Sequence, residues 1–500
     1  MVKRVDKVYE NTDQGKVYKS TVPVREHRLD TTITYGGTAS ELVNLATKKC
    51  LKAKDRAFSQ TTFCQEWLAM ITLATIKDTV IIIHAPVGCS SSLACISIFN
   101  RFGQITRGET PSTGKWISTN LTDAEAIHGG EDKLKEAVLE ADKRHNPKAI
   151  FIYSSCVSGI IGEDIDAIIR KIQEEVSATV IPVYCDGFKS KVWASGYDGS
   201  FQGVLNHLIK EPREKQNDLI NIINPISFGR VDEVEVERLL NKLGLRANFI
   251  PNFATTDAIG YSSEAALTTT LCPTFSEYFA KELKERFQVP YAQKIIPVGL
   301  DNTDLWLREI GELLGKENEV EKVIKEERER VEPKIEELKE KLQGKKVFVS
   351  AGQSRAIGIP NLLADLGLEI IGVTAYHYDE VISDSFANLE NRCGDFCTSV
   401  ANVQPFEQTN ILNKEQPDIY FGHMGESVWA AKQGFPTAMI FNLALLYAGY
   451  NGVISFGSRL LNLINNPSFN KRLAEHSKPI YREAWLKENP FKYHKGEELE

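Results

Sequence analysis

A chain of 500 residues exceeds what one hydrophobic core usually supports, so about three domains are expected, and 42% hydrophobic with 25% charged residues excludes a disordered or collagen-like polymer. A net charge of −8 speaks against a nucleic-acid partner. No apolar run reaches the roughly 18 residues of a membrane span, and no apolar segment follows the opening Met-Val-Lys-Arg, so a cytoplasmic protein without a membrane partner is expected.

Residues 1–60 have weak periodicity and read as an extended arm with one short helix. Thr62 is a plausible N-cap for a helix carrying Cys64 in its first turn, where the helix N-terminus favours a thiolate. From residue 79 the pattern alternates β-rich runs with helix-length polar segments, the signature of βαβ units and parallel sheets. Runs at 79–83, 149–153 and 179–184 with helices near 131–144 and 163–175 make a first unit (61–215). A second (216–345) starts at Leu219 and closes around Cys272. A third (346–466) has strands near 346, 368–373, 418–421 and 437–441, and 467–500 is a tail. The charge-dense stretch 315–345 reads as a solvated helix face. The expected architecture is therefore α/β, with three Rossmann-like domains.

Nine cysteines in a large chain expected to be cytoplasmic argue against a disulfide framework and leave buried thiols or metal sites. The apolar run ending in Pro86-Val-Gly-Cys89 is a strand that delivers a thiol at its carboxyl edge, and the run 149–156 repeats that construction for Cys156. Cys64, Cys89 and Cys156 belong to no CxxC pair, which suits a large cluster clasped from several directions, completed by a partner chain. Cys393 and Cys397 read as loop thiols, Cys50, Cys95 and Cys185 as structural ones, and His84 as a buried strand residue. Gly108 to Trp116 imitates a phosphate loop, but it has one residue too many between its glycines and Trp116 where a hydroxyl is needed.

Pro86-Val-Gly-Cys89, Thr122-Asp123 with His128-Gly-Gly-Glu-Asp-Lys-Leu134, Ser155-Cys156-Val-Ser-Gly-Ile-Ile-Gly-Glu-Asp-Ile165 and Ile181-Pro-Val-Tyr-Cys-Asp-Gly-Phe188 together resemble the component 1 family of nitrogenases and nitrogenase-like reductases, alpha-type subunit. The resemblance implies that Cys64, Cys89 and Cys156 ligate one half of a P-cluster (8Fe-7S type) shared with a beta-type subunit in an α2β2 heterotetramer. It implies that Cys272 holds one end of a large iron–sulfur cofactor (8Fe-9S-C type, heterometal open), with Gly352, Ser354 and Arg355 packed against it. Electrons would come from an ATP-dependent iron–sulfur reductase, the Fe protein.

The departures bear on the small-molecule substrate. Phe441 stands at or near the place of the histidine that holds the cofactor's other end, Tyr197 at that of the proton-delivering histidine, Trp193 at that of a glutamine and Ser97 at that of an arginine. A more apolar pocket suits an organic molecule, with reductive C–S cleavage of a small methylthio compound the leading reading. His377, Tyr197 and Arg355 are the candidate catalytic residues. His423 and His377 each read either as a ligand or proton donor or as a structural histidine. A cofactor-assembly scaffold, mildly favoured by Tyr447-Ala-Gly-Tyr-Asn-Gly452, is the alternative, and a dinitrogen reductase with a rearranged pocket a third reading.

Overall fold

The computed structural model describes residues 9–12, 15–18, 22–51, 55–60, 64–91, 93–112, 114–224, 228–292, 295–440 and 442–495. Thr62 and Phe441 lie outside them. Three mainly parallel sheets dominate, as the alternating pattern predicts. The first has the order Trp116–Ser118, Thr79–His84, Ala149–Ser154, Thr179–Val183, all parallel. Every residue of its two central strands is buried, which is why those runs read as continuous apolar stretches. Alternate side chains point to opposite faces: Val80 and Ile82 pack on helices Glu131–His145 and Ile165–Ile172, while Ile81 and Ile83 pack on helices Gln65–Leu73 and Leu93–Ile105.

The second sheet has three parallel strands in the order Arg246–Pro251, Gln216–Asn224, Ala265–Thr270. The third has the order Thr437–Met439, Ile419–Gly422, Lys346–Ala351, Glu369–Ala375, Cys397–Ala401, Thr34–Thr38. Its last strand comes from the N-terminal arm and runs antiparallel, capping an edge that would otherwise expose unpaired backbone.

Several expectations are corrected. The arm holds two helices, Arg25–Arg28 and Ala39–Thr47, besides that strand, and the second starts with a Thr38/Glu41 capping box. Cys64 is itself the N-cap of helix Gln65–Leu73 rather than a first-turn residue. Cys393 ends helix Ser383–Cys393 and Cys397 begins a strand, so neither is a loop thiol, and Cys50 is exposed rather than a core thiol. The strand expected over 437–441 stops at Met439. The charge-dense helix Glu317–Leu342 is solvated on one side only, since Val320, Ile324, Val331, Ile335, Leu338 and Leu342 recur at helical spacing and are buried. No helix among the described residues is long and apolar enough to cross a membrane.

Candidate functional site

Two groups of side chains stand at carboxyl ends of parallel strands. In the first sheet, His84 is paired in register with Ser154, so the chain leaves both central strands on one edge. One exit turns at Pro86 into the short helix Val87–Ser90 with Cys89; the other turns at Ser155, which caps helix Cys156–Ile160 through a bond from the Ser158 amide. The neighbouring strand Thr179–Val183 leads to Asp186-Gly187, and Gln65 Nε2 donates to the Asp186 carbonyl at 2.5 Å, drawing Cys64 to the same edge. A Cβ on Gly187 would lie 3.2 Å from Cys156 Sγ and 3.4 Å from Cys64 Sγ, so both sulfurs pack tightly against this glycine. The Cys89 thiol is hydrogen-bonded to Glu66, two residues beyond Cys64. The structure thus brings together Cys64, Cys89 and Cys156, which are exposed or half-buried.

The thiolate expected at Cys64 is not favoured in the metal-free chain. Burial pushes this thiol up despite hydrogen bonds from the Trp67 and Glu66 amides, and burial with the neighbouring Glu66 charge pushes Cys89 up to about 12. Ligation must therefore displace thiol protons. Burial likewise pushes the Glu66 carboxyl up to about 7, against the Cys89 hydrogen bond. Among the described residues no three His, Cys, Asp or Glu side chains converge on a single ion. The spread of the thiols around Gly187 fits a group of several metal atoms instead.

The second group surrounds Cys272, the N-cap of helix Pro273–Phe287 after strand Ala265–Thr270. Its thiol donates to Ser354 Oγ at 3.3 Å and its amide to Thr270 Oγ1 at 2.8 Å. Ser354 and Arg355 lie in the first turn of helix Gln353–Asp365, which strand Lys346–Ala351 feeds through Gly352. A Cβ on Gly352 would meet no described atom within 4 Å, so space opens beside that turn. Arg355 Nη1 donates to the Ile440 carbonyl at 2.8 Å, and its guanidinium lies 4.3 Å from the Phe228 ring centre and 5.1 Å from that of Tyr447. Burial pushes the Cys272 thiol up, while Ser354, Arg355 and Arg25 pull it down. Tyr197 packs against Phe275 at 4.4 Å, and burial with the nearby Cys272 charge raises its phenol, which stays protonated. Trp193 stacks on Trp67 at 6.3 Å and meets Tyr376 at 5.6 Å. A cavity of about 440 Å³ borders Pro273 and Ser354 and extends to Asp301, Asn302 and Arg392. Ser97 instead lines a small void with Ile81 and Trp116, in which none of the residues around Cys272 takes part.

Both candidate histidines are neutral near pH 7. His377 is 2% exposed, and neither ring nitrogen has a hydrogen-bond partner among the described residues. Its Nε2 is 3.8 Å from Asp379 Oδ2. Burial, then the Arg25 charge, pushes His377 down to about 3; burial, then Arg355, pushes His423 down to about 4. His423 caps helix Met424–Lys432, and its amide donates to Glu426. The expected result for His377 is a ring signal that does not titrate between about pH 8 and 5 in NMR of histidine-labelled, metal-free protein, since its folded value lies below the ordinary 6.5. The unfolded chain then takes up this proton first, so the group's contribution to stability is present above 6.5 and is lost as pH falls toward about 3. Titration of the folded ring near 6.5 would contradict this environment.

Sequence reasoning missed the residue that ties this group together. Arg25, from the arm, is 0% exposed and donates to Asp198, Asp379 and the Thr274 carbonyl, the last at 2.6 Å. Arg28 beside it pairs with Asp198 at 2.7 Å and with Glu277. Gln353 Nε2 links Thr274 at 2.5 Å to Asp379 at 3.0 Å. No local pattern around Val24-Arg25-Glu26-His27-Arg28 distinguishes it from a surface charge cluster.

A family model described as "Nitrogenase component 1 type Oxidoreductase" matches residues 64–465. The chain is 27% identical over 417 residues to a nitrogenase molybdenum-iron protein alpha chain from Methanococcus maripaludis, covering 80% of this chain and 85% of that one. It is 28% identical over 406 residues to the nitrogenase iron-molybdenum cofactor biosynthesis protein NifE of the same organism, covering 80% and 82%. Among solved structures, nitrogenase Cp1 at pH 5 superimposes with a TM-score of 0.69 at 23% identity, over 85% of this chain and 92% of that one, a likeness of fold.

Proposed function

Because the chain belongs to the nitrogenase component 1 type oxidoreductase family, we propose that it is the alpha-type catalytic subunit of a nitrogenase-like, ATP-dependent reductase acting on a small organic sulfide rather than dinitrogen. The observation that carries this reading is the division of four cysteines between two sites, three at an accessible sheet edge and Cys272 at a separate strand end with Arg25 and Arg355 nearby. At the sheet edge, Cys64, Cys89 and Cys156 would hold one half of a P-cluster-type group, with a beta-type subunit supplying the other half in an α2β2 assembly. An Fe protein would deliver electrons there.

At the interior site, Cys272 Sγ would hold one end of a large iron–sulfur cofactor. When bound, that cofactor supplies low-potential electrons at a metal–sulfide surface. Arg25 and Arg355 set positive charge beside it, and the Gly352 turn lets backbone approach it closely, both suited to an anionic cluster. The Tyr197 phenol keeps its proton and can donate it as a hydrogen bond, while the neutral His377 ring can ligate or relay a proton at Nδ1 or Nε2. Trp193, stacked on Trp67 and tilted against Tyr376, makes an apolar wall that suits a methylthio group better than a polar ligand.

A cofactor-assembly scaffold is the second reading, favoured by the near-equal identity to the alpha chain and to the biosynthesis protein. The deciding experiment is metal analysis with electron paramagnetic resonance on the complex purified without oxygen, followed by assay with its reductase and ATP. The expected result is iron for both groups, no molybdenum or vanadium, and thiol release from a methylthio substrate. Iron for the interface group only, with transfer of a cofactor to another apo-protein and no turnover, would establish the scaffold instead.

A further inference from the structure

A buried carboxylate stands beside two of the interface thiols, Cys89 and Cys64. Glu66 is 2% exposed, and no described residue forms an ion pair with it. One of its oxygens is hydrogen-bonded to the Cys89 thiol; Oε1 has no hydrogen-bond partner among the described residues. Leaving a buried acceptor unsatisfied is costly, and more so for a charged one, so the fold by itself gives no account of this side chain. The neighbourhood is already rich in negative charge: Asp186 is 1% exposed, its Oδ1 likewise has no partner among the described residues, and Lys189 reaches only its other oxygen. Apolar replacement at either position would be the cheaper way to fill the space.

Ligation makes the imbalance larger. A thiol that binds a metal does so as thiolate, and Cys89 then has no hydrogen left to offer Glu66. Both Glu66 oxygens would face the group held by Cys64, Cys89 and Cys156 with no protein donor supplied to either. Iron accepts carboxylate oxygen as readily as it accepts other hard donors, and Glu66, unlike Asp186 with its Lys189, has no cation paired with it among the described residues.

We infer that Glu66 is a fourth donor from this chain, an oxygen ligand to the metal group that Cys64, Cys89 and Cys156 hold at the subunit interface. The inference rests on the reading of those thiols as cluster ligands. Forming the bond joins a carboxylate oxygen to iron and leaves oxidation states unchanged; the Cys89 proton displaced on ligation goes to solvent. Glu66 also makes this chain's half of the site asymmetric, with one hard donor among soft ones, and so singles out one iron atom for a different electronic environment.

The test is Mössbauer spectroscopy and redox titration of the iron-57-enriched complex with its beta-type partner, in wild type, Glu66→Gln and Glu66→Asp. The expected result is a wild-type iron component with mixed oxygen and sulfur ligation that disappears in Glu66→Gln at unchanged iron content, together with a shifted midpoint of the interface group. Glu66→Asp, a carboxylate one methylene shorter, keeps that component with altered parameters. Identical spectra and midpoints in wild type and Glu66→Gln overturn the inference. So does an equal fall in thermal stability of metal-free Glu66→Gln and Glu66→Asp accompanied by loss of the whole group, which would mark a structural role. A wild-type complex with no interface group at all overturns the parent reading and is recognised before any variant is made.

Discussion

Cys272→Ala yields a complex that keeps the interface iron and loses the interior cofactor. The two sites lie on different sheets, Cys89 and Cys156 beyond strands of the first and Cys272 beyond Ala265–Thr270 of the second. No hydrogen bond of Cys272 reaches the first group, since its thiol and amide bind Ser354 and Thr270. Losing one half-buried thiol also costs little stability: alanine fits an N-cap poorly, but Cys272 makes no side-chain capping bond to lose. Iron analysis should therefore show a stepwise drop to the interface complement, and substrate turnover should fall below detection. Full cofactor iron in the variant would remove Cys272 from its assigned role. Cys89→Ala is the reciprocal case, with loss at the interface and retention inside.

The second large effect is on stability. Arg25→Leu removes the cation that joins the arm to three parts of the chain, through Asp198 at 3.3 Å, Asp379 at 3.4 Å and the Thr274 carbonyl. Asp198 retains Arg28, but Asp379, fully buried, keeps only neutral donors, Gln353 and the Val381 amide. Removing one partner of a buried pair costs about 3–5 kcal/mol because the other charge stays behind, much more than the pair itself contributes. Thermal and urea unfolding of the complex should show that loss, and Arg25→Lys, which keeps charge without the planar fork, should fall between. The His377 ring gives a second readout. Arg25 is one of the two causes that hold its pKa down, so the value rises in Arg25→Leu. Unchanged unfolding and an unmoved His377 would reduce Arg25 to a bystander.

The architecture was legible because it is written in local periods. Continuous apolar runs at 79–83 and 149–153 are what strands covered on both faces require, and Pro86-Val-Gly-Cys89 is a turn that any such strand could end in. Phe441 and Trp193 were singled out from the sequence as departures from a pattern. The thiolate expected at Cys64 failed for the opposite reason: position in a helix is a local property, whereas the burial that outweighs it depends on what packs against the helix. The solvated face expected of 315–345 is present, but its charge density conceals an apolar stripe on the opposite side that only a packed neighbour reveals.

By itself, then, the sequence determined the three-sheet α/β class, the delivery of Cys89 and Cys156 to strand ends, and the family. The tertiary structure alone decided which side chains meet there. Arg25 reaches Asp198 and Asp379 across separations of 173 and 354 residues, and the arm's strand Thr34–Thr38 closes the far edge of the third sheet. Glu66 reads as one more helix carboxylate until the fold buries it beside Cys89 and Cys64. The periodicity of secondary structure extends over a few residues, while burial and charge pairing are properties of the packed whole, so a charged residue's role becomes visible only when its neighbours are in place.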